Sequence, residues 1–309
     1  MKTFILILLA TLPWVLSAQT AEIIDQSTAL FEQGNHRGAL SVINKGIEQY
    51  PDSGDLYLHR GDIHYALEDL ENAWRDYTSA VEKDETHPMY RIHRGVLLTS
   101  AGIYDGALAD FQVALNEAGS DKVLKAVHLN RSTTYQLVRR FDLAYDDLMA
   151  AYHIDSTDIG VVNNLGTLLD ELNRQEEALI YLNKVIELDS TFLGGYANLA
   201  FQYGKLGRFQ EALKMSNKAI ELAPKEGILY NNRGYVYYCM GQYKDAMKDI
   251  EKSMEMYPTN SYAFRNRALV YIALNKTSKA CDDLQHAIDL DFTTNYGSEC
   301  EELQRKHCH

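Results

Sequence analysis

Alanine recurs along this chain at Ala39, Ala73 and Ala107, slips by three residues to Ala144, and then returns every 34 residues at Ala178, Ala212, Ala246 and Ala280. A domain packed around one core has no reason to repeat a small residue at a fixed period. Stacked supersecondary units must repeat their contact positions. The chain therefore reads as a solenoid, and the period overrides the two-domain expectation that 309 residues would raise by length alone.

With the recurrent alanine numbered position 20 of each unit, position 8 falls on Ser27, Gly61, Gly95, Ser132, Gly166, Ala200, Gly234 and Ala268. Position 27 falls on Gly46, Ala80, Ala114, Ala151, Val185, Ala219, Ser253 and Ala287, where only the valine is not small. Small side chains at these three places let two helices approach closely while larger apolar neighbours fill the remaining space, so each unit is a helical hairpin. The break between its helices falls near position 15, at Gly34, Gly102, Asn173, Gly207, Gly241 and Asn275. Glycine and asparagine accept the left-handed conformation that ends a helix. The second helix stops near position 32, where Pro51, Pro224 and Pro258 stand.

This pattern of small residues at 8, 20 and 27 with proline at 32 resembles the tetratricopeptide repeat (TPR) family. The units run over residues 20–53, 54–87, 88–121, 125–158, 159–192, 193–226, 227–260 and 261–294. The fourth departs most from the pattern (Ser132, Tyr135, Arg139) and follows an insertion around residues 118–122. The resemblance implies an all-α fold, a right-handed superhelical α-solenoid of eight TPR helical hairpins whose first helices line a concave face. The polar, charged segment within 295–309 is expected to add a C-terminal capping helix and tail.

Acidic side chains outnumber basic ones by 43 to 30, a net charge of −13, which opposes nucleic acid binding. Residues 1–18 have a positive start, an apolar run from Phe4 to Leu12 and a small-residue end at Ala18. This reads as a secretory signal peptide, so the chain is expected to be exported, periplasmic or secreted, with no stable membrane insertion after cleavage.

Position 7 holds Arg60, Arg94, Arg131, Arg233 and Arg267, and the same units carry Asp76, Asp110, Asp147, Asp249 and Asp283 at position 23. Units with Gln26, Leu165 or Leu199 have Val42, Tyr181 or Met215 there instead. Charge and countercharge come and go together, as ion pairs within a hairpin require. Position 6 reads Asp25, His59, His93, and then Asn130, Asn164, Asn198, Asn232 and Asn266. Helix propensity does not explain five asparagines in register. A primary amide offers both a donor and an acceptor, the complement of a peptide group. The series resembles the asparagine ladder in the repeat domain of O-linked N-acetylglucosamine transferases, where these amides contact bound peptide backbone. Asn163, Asn231 and Tyr235, at positions 5 and 9, extend the candidate peptide-binding set, and Tyr230, Tyr238 and Tyr262 add aromatic surface. The alternative is that these amides pair between neighbouring helices.

All four cysteines lie in the last quarter of the chain, and a helix running back along the last unit brings Cys308 near Cys281, a candidate disulfide. Cys239 and Cys300 are too far apart along the stack to pair. Neither His307-Cys308-His309 nor His59 with His64 supplies a closed ligand set, so no metal or cofactor is expected. The chain has no phosphate loop, HExxH pattern or nucleophile elbow. The expected function is a non-enzymatic scaffold that binds an extended protein or peptide segment. A carbohydrate-binding or accessory subunit of an envelope enzyme, or a structural assembly protein, remains the alternative, and the sequence does not disclose oligomeric state.

Overall fold

The computed structural model describes residues 5–308, with side chains from Ala18 onward. The leader read from residues 1–18 thus rests on side chains outside the described ones, apart from Ala18, and His309 also lies outside them. Every regular element among the described residues is helical. Among the same residues, no helix is long and apolar enough to cross a membrane.

The chain divides into two compact units, residues 1–156 and 157–309. The first holds the hairpins α1 (Ile5–Glu32) with α2 (His36–Gln49), α3 (Gly54–Ala66) with α4 (Leu70–Lys83), α5 (Pro88–Ser100) with α6 (Tyr104–Asn116), and α7 (Asp121–Leu137) with α8 (Phe141–Ile154). The second holds α9 (Ile159–Glu171) with α10 (Gln175–Leu188), α11 (Leu193–Lys205) with α12 (Phe209–Leu222), α13 (Gly227–Cys239) with α14 (Tyr243–Met256), and α15 (Ser261–Ala273) with α16 (Thr277–Asp289). It ends with the short α17 (Phe292–Tyr296) and with α18 (Glu299–His307).

The small positions do the work their period suggests. All eight position-20 alanines are fully buried. At position 8, a Cβ added to Gly61, Gly95, Gly166 or Gly234 would lie 2.6–2.7 Å from Tyr77, Phe111, Leu182 or Ile250 respectively. Each of those large residues stands at position 24 of the facing helix, so the glycine is the space into which the partner side chain packs.

The turn between the helices is left-handed at position 15 in every unit. Glu68 (φ 60°) and Arg139 (φ 58°) adopt the same conformation as the glycines and asparagines of the other six hairpins. The three-residue slip before Ala144 is absorbed by α7, which runs for 17 residues where the other first helices of hairpins two to eight have 13. Ser120 caps this added turn by accepting from the Val123 amide.

Candidate functional site

Five bidentate clamps join the two helices of their hairpins. In each, arginine Nε donates to one aspartate oxygen and Nη2 to the other: Arg60 to Asp76, Arg94 to Asp110, Arg131 to Asp147, Arg233 to Asp249 and Arg267 to Asp283. The aspartates are buried, so these groups are occupied internally and present no anion site. Arg60, Arg131 and Arg233 also donate through Nη1 to Asn44, Gln112 and Asn217, on the second helix of the preceding hairpin. Burial alone would raise the Asp147 carboxyl, but bonds from Arg131 and His128 outweigh it and hold the group below the usual carboxylate value. Of the three hairpins without clamps, the fifth and sixth bury Leu165 and Leu199 fully in the arginine's place, and Leu199 packs with Met215, whereas Gln26 of the first is exposed.

The asparagines at position 6 are not equivalent. Asn198 donates to Asn163 Oδ1 (2.9 Å) and Asn266 donates to Asn231 Oδ1 (3.0 Å), each reaching from one first helix to the preceding one. Asn266 is only 3% exposed and accepts from Arg265 Nη1, so both ends of its amide are used. Asn231 is buried beside it. Asn130 donates to the Ala126 carbonyl of its own helix. This leaves Asn164, half-buried, and Asn232, exposed, as the ladder amides that make no side-chain hydrogen bond among the described residues. An asparagine at position 5 of one hairpin engages the position-6 amide of the next, which is why Asn163 and Asn231 bond to the series instead of widening it. Tyr230 is also not surface: it is buried and its hydroxyl donates to the Pro224 carbonyl.

Positions 2, 6 and 9 lie on one face of a helix. In the second unit this face exposes large apolar side chains at Phe201 (58%), Ile228 (51%), Tyr235 (39%) and Tyr262 (38%), beside Asn232. Tyr296, 34 residues after Tyr262, continues the position-2 row and lies 4.4 Å from the Tyr262 ring centre. Arg265 stands over the Tyr235 ring and donates to Asn266 and to Glu299, the first residue of α18. Lys205 pairs with Asp170 across 2.6 Å. Ile228, Tyr296 and the Arg265–Glu299 pair carried no role in the sequence reading. Their signal was the same 34-residue offset, continued past the last full hairpin.

The corresponding face of the first unit has different chemistry. Asp62 accepts from the Tyr77 hydroxyl and lies 2.7 Å from His93 Nδ1, while His59 Nε2 lies 3.5 Å from Thr28 Oγ1. Burial holds the His59 imidazole below its usual value against the opposing pull of Asp62 and Asp25. No group of three or more histidine, cysteine or acidic side chains among the described residues is placed to hold a metal ion.

At the C-terminus, Cys281 and Cys308 form a disulfide with Cα atoms 5.8 Å apart. Cys239 and Cys300 are free thiols. Cys300 is fully buried with Phe292, Leu284 and Ala287, and burial pushes its thiol up to about 12.

Three models of the tetratricopeptide repeat match residues 24–88, 159–192 and 193–259, together more than half of the chain. The chain belongs to the tetratricopeptide repeat family. Such proteins are generally non-catalytic scaffolds. Among curated proteins, it is 26% identical over 97 residues to human tetratricopeptide repeat protein 13, covering 31% of this chain and 11% of the relative. It is 44% identical over 63 residues to the tetratricopeptide repeat protein 36 homolog of Drosophila pseudoobscura pseudoobscura, covering 20% and 32%. The chain thus spans less than a third of the length of these relatives.

Among solved structures, a tetratricopeptide repeat protein from Parabacteroides merdae superposes with a TM-score of 0.68 at 19% identity, over 82% of this chain and 98% of that one. YrrB, described as a TPR protein with an unusual peptide-binding site, superposes with a TM-score of 0.50 at 22% identity, over 60% and 95%. These likenesses establish the fold.

Proposed function

We propose that this protein is an exported, non-enzymatic scaffold that binds an extended segment of a partner protein on the first-helix face of its second unit. The observation that carries the reading is the combination on that face of an exposed amide at Asn232, which makes no side-chain hydrogen bond among the described residues, with four exposed apolar side chains in the same row of positions. An amide with both donor and acceptor unused matches a peptide group, and exposed aromatic rings supply contact area with little rotamer entropy to lose. YrrB, which shares this fold, is described as having a peptide-binding site of its own. Export is supported by the leader-like residues 1–18 and by the Cys281–Cys308 bridge, since such bonds persist in oxidising compartments.

The test is recovery of partners by the mature chain from an extract of its own cell envelope. The variant of choice is Asn164→Ala/Asn232→Ala, because substitution at Asn198 or Asn266 would also break a bond between repeats. Selective loss of a partner is the expected result, and equal recovery of every partner would refute the assignment. N-terminal sequencing of the envelope-derived chain checks export: the expected mature start is Gln19, and a chain found intact in the cytoplasm would rule it out.

A further inference from the structure

The chain carries a net charge of −13, yet the row of positions 2, 6 and 9 from Phe201 to Tyr262 holds no carboxylate, ammonium or guanidinium group. The charged side chains that flank the two ends of this row are paired with one another. Lys205 is held by Asp170, and Arg265 by Glu299 with Asn266 on its second amino group. Between these pairs stand Phe201, Ile228, Asn232, Tyr235 and Tyr262, none of them ionised at neutral pH, with Tyr296 beyond them in the position-2 row. Among the same positions of the first unit are Asp25, His59, Asp62 and His93, which have no counterpart at these positions of the second.

Neutralised ends have a consequence for recognition. A charged group on a bound segment would leave water without gaining a free countercharge, which is unfavourable. Apolar side chains lose nothing in the exchange and cover rings and a methyl-rich chain that are otherwise exposed to water. Asn232 meanwhile engages main chain, which every segment has.

We infer that the second unit selects an uncharged extended segment of another protein, with aromatic or aliphatic side chains that settle on Phe201, Ile228, Tyr235 and Tyr262. This rests on the reading that the face binds peptide. It adds which peptides are taken, and it separates the two units by chemistry: a neutral, apolar row in the second and an ionisable one in the first. Attraction between net charges plays no part in holding the segment, so its affinity is insensitive to salt.

The test measures anisotropy of fluorescent extended peptides with the full mature chain. The probes are an uncharged peptide alternating Tyr or Leu with Ser, the same peptide with two Asp substituted, the same with two Lys, and a Ser/Thr/Gln peptide lacking apolar residues. The alternating peptide is expected to bind at least about tenfold more tightly than the other three. Its affinity should change by less than about twofold between about 50 and about 500 mM salt. Phe201→Ser and Ile228→Ser, both at exposed positions that leave packing intact, should each weaken it by about three- to tenfold.

Equal binding of all four peptides, each weakened by Asn232→Ala, would overturn the selectivity and leave the peptide reading standing. Tighter binding of the Asp or Lys peptide would overturn the selectivity alone. Binding of none of the four, or of neutral oligosaccharides in their place, would overturn both.

Discussion

Asp249 is almost wholly shielded from solvent, and Arg233 supplies it with two charge-assisted hydrogen bonds of 2.6 and 2.9 Å. Removing the guanidinium strands a buried carboxylate, so Arg233→Ala should lower stability by about 3 kcal/mol in urea titration. The chain itself holds the control: Leu199 with Met215 fills the same two positions one hairpin earlier. Arg233→Leu/Asp249→Met should therefore recover most of the loss; no recovery would mean that the clamp does more than fill and neutralise its site. Acid acts on the same groups. Because the folded Asp147 carboxyl sits below its unfolded value, its contribution is present above about pH 4 and is lost as pH falls through the lower, folded value. Stability should fall below about pH 4, and Asp147→Asn, already weaker at pH 7, should show a shallower decline. The clamps were legible in the sequence because both members of each pair vary together. The asparagines were only half legible: their period gives the face, but whether an amide is free depends on the residue at position 5 of the preceding repeat.

Each hairpin bends through one left-handed residue, and in Glu68 and Arg139 the chain places side chains with a Cβ where glycine fits without strain. Glu68→Gly and Arg139→Gly should each stabilise by about 0.5–1 kcal/mol, read as a rise in melting temperature; a fall at both would contradict the steric account. The last two elements together continue the register of a ninth repeat. Tyr296, which ends α17, and Glu299, which opens α18, stand 34 residues beyond Tyr262 and Arg265 and touch them. The bridge from Cys308 to Cys281 closes 27 residues of chain and should stabilise this end by about 3 kcal/mol. Cys308→Ser should raise amide exchange in α18 and α16 while leaving α9 and α10 unchanged; unaltered protection of α18 would show that burial of Phe292 and Cys300 is sufficient to hold the cap. The period predicts hairpins well because every one uses the same contacts. It located the insertion before the fourth hairpin but not that the extra residues lengthen α7, and it gave no notice of α17, since both arise where the repeat is interrupted and local capping decides the chain's path.

Across the molecule, repetition builds a scaffold and departures from repetition give it chemistry. The small positions are nearly invariant between hairpins, whereas position 6 of the first helices changes from Asp25, His59 and His93 in the first three hairpins to asparagine in the last five, and large apolar side chains at positions 2 and 9 join it at Phe201, Ile228, Tyr235 and Tyr262 in the second unit. The central claim is that the latter face receives a partner's extended segment. Photo-crosslinking in the native envelope tests it most directly, with a photoreactive phenylalanine analogue placed in turn at Phe201, Tyr235 and the second-helix positions Ile180 and Lys248. Adducts at Phe201 and Tyr235, lost when Asn232→Ala is added, are the predicted result. Adducts confined to Ile180 and Lys248 would contradict the account and place the partner on the second helices instead.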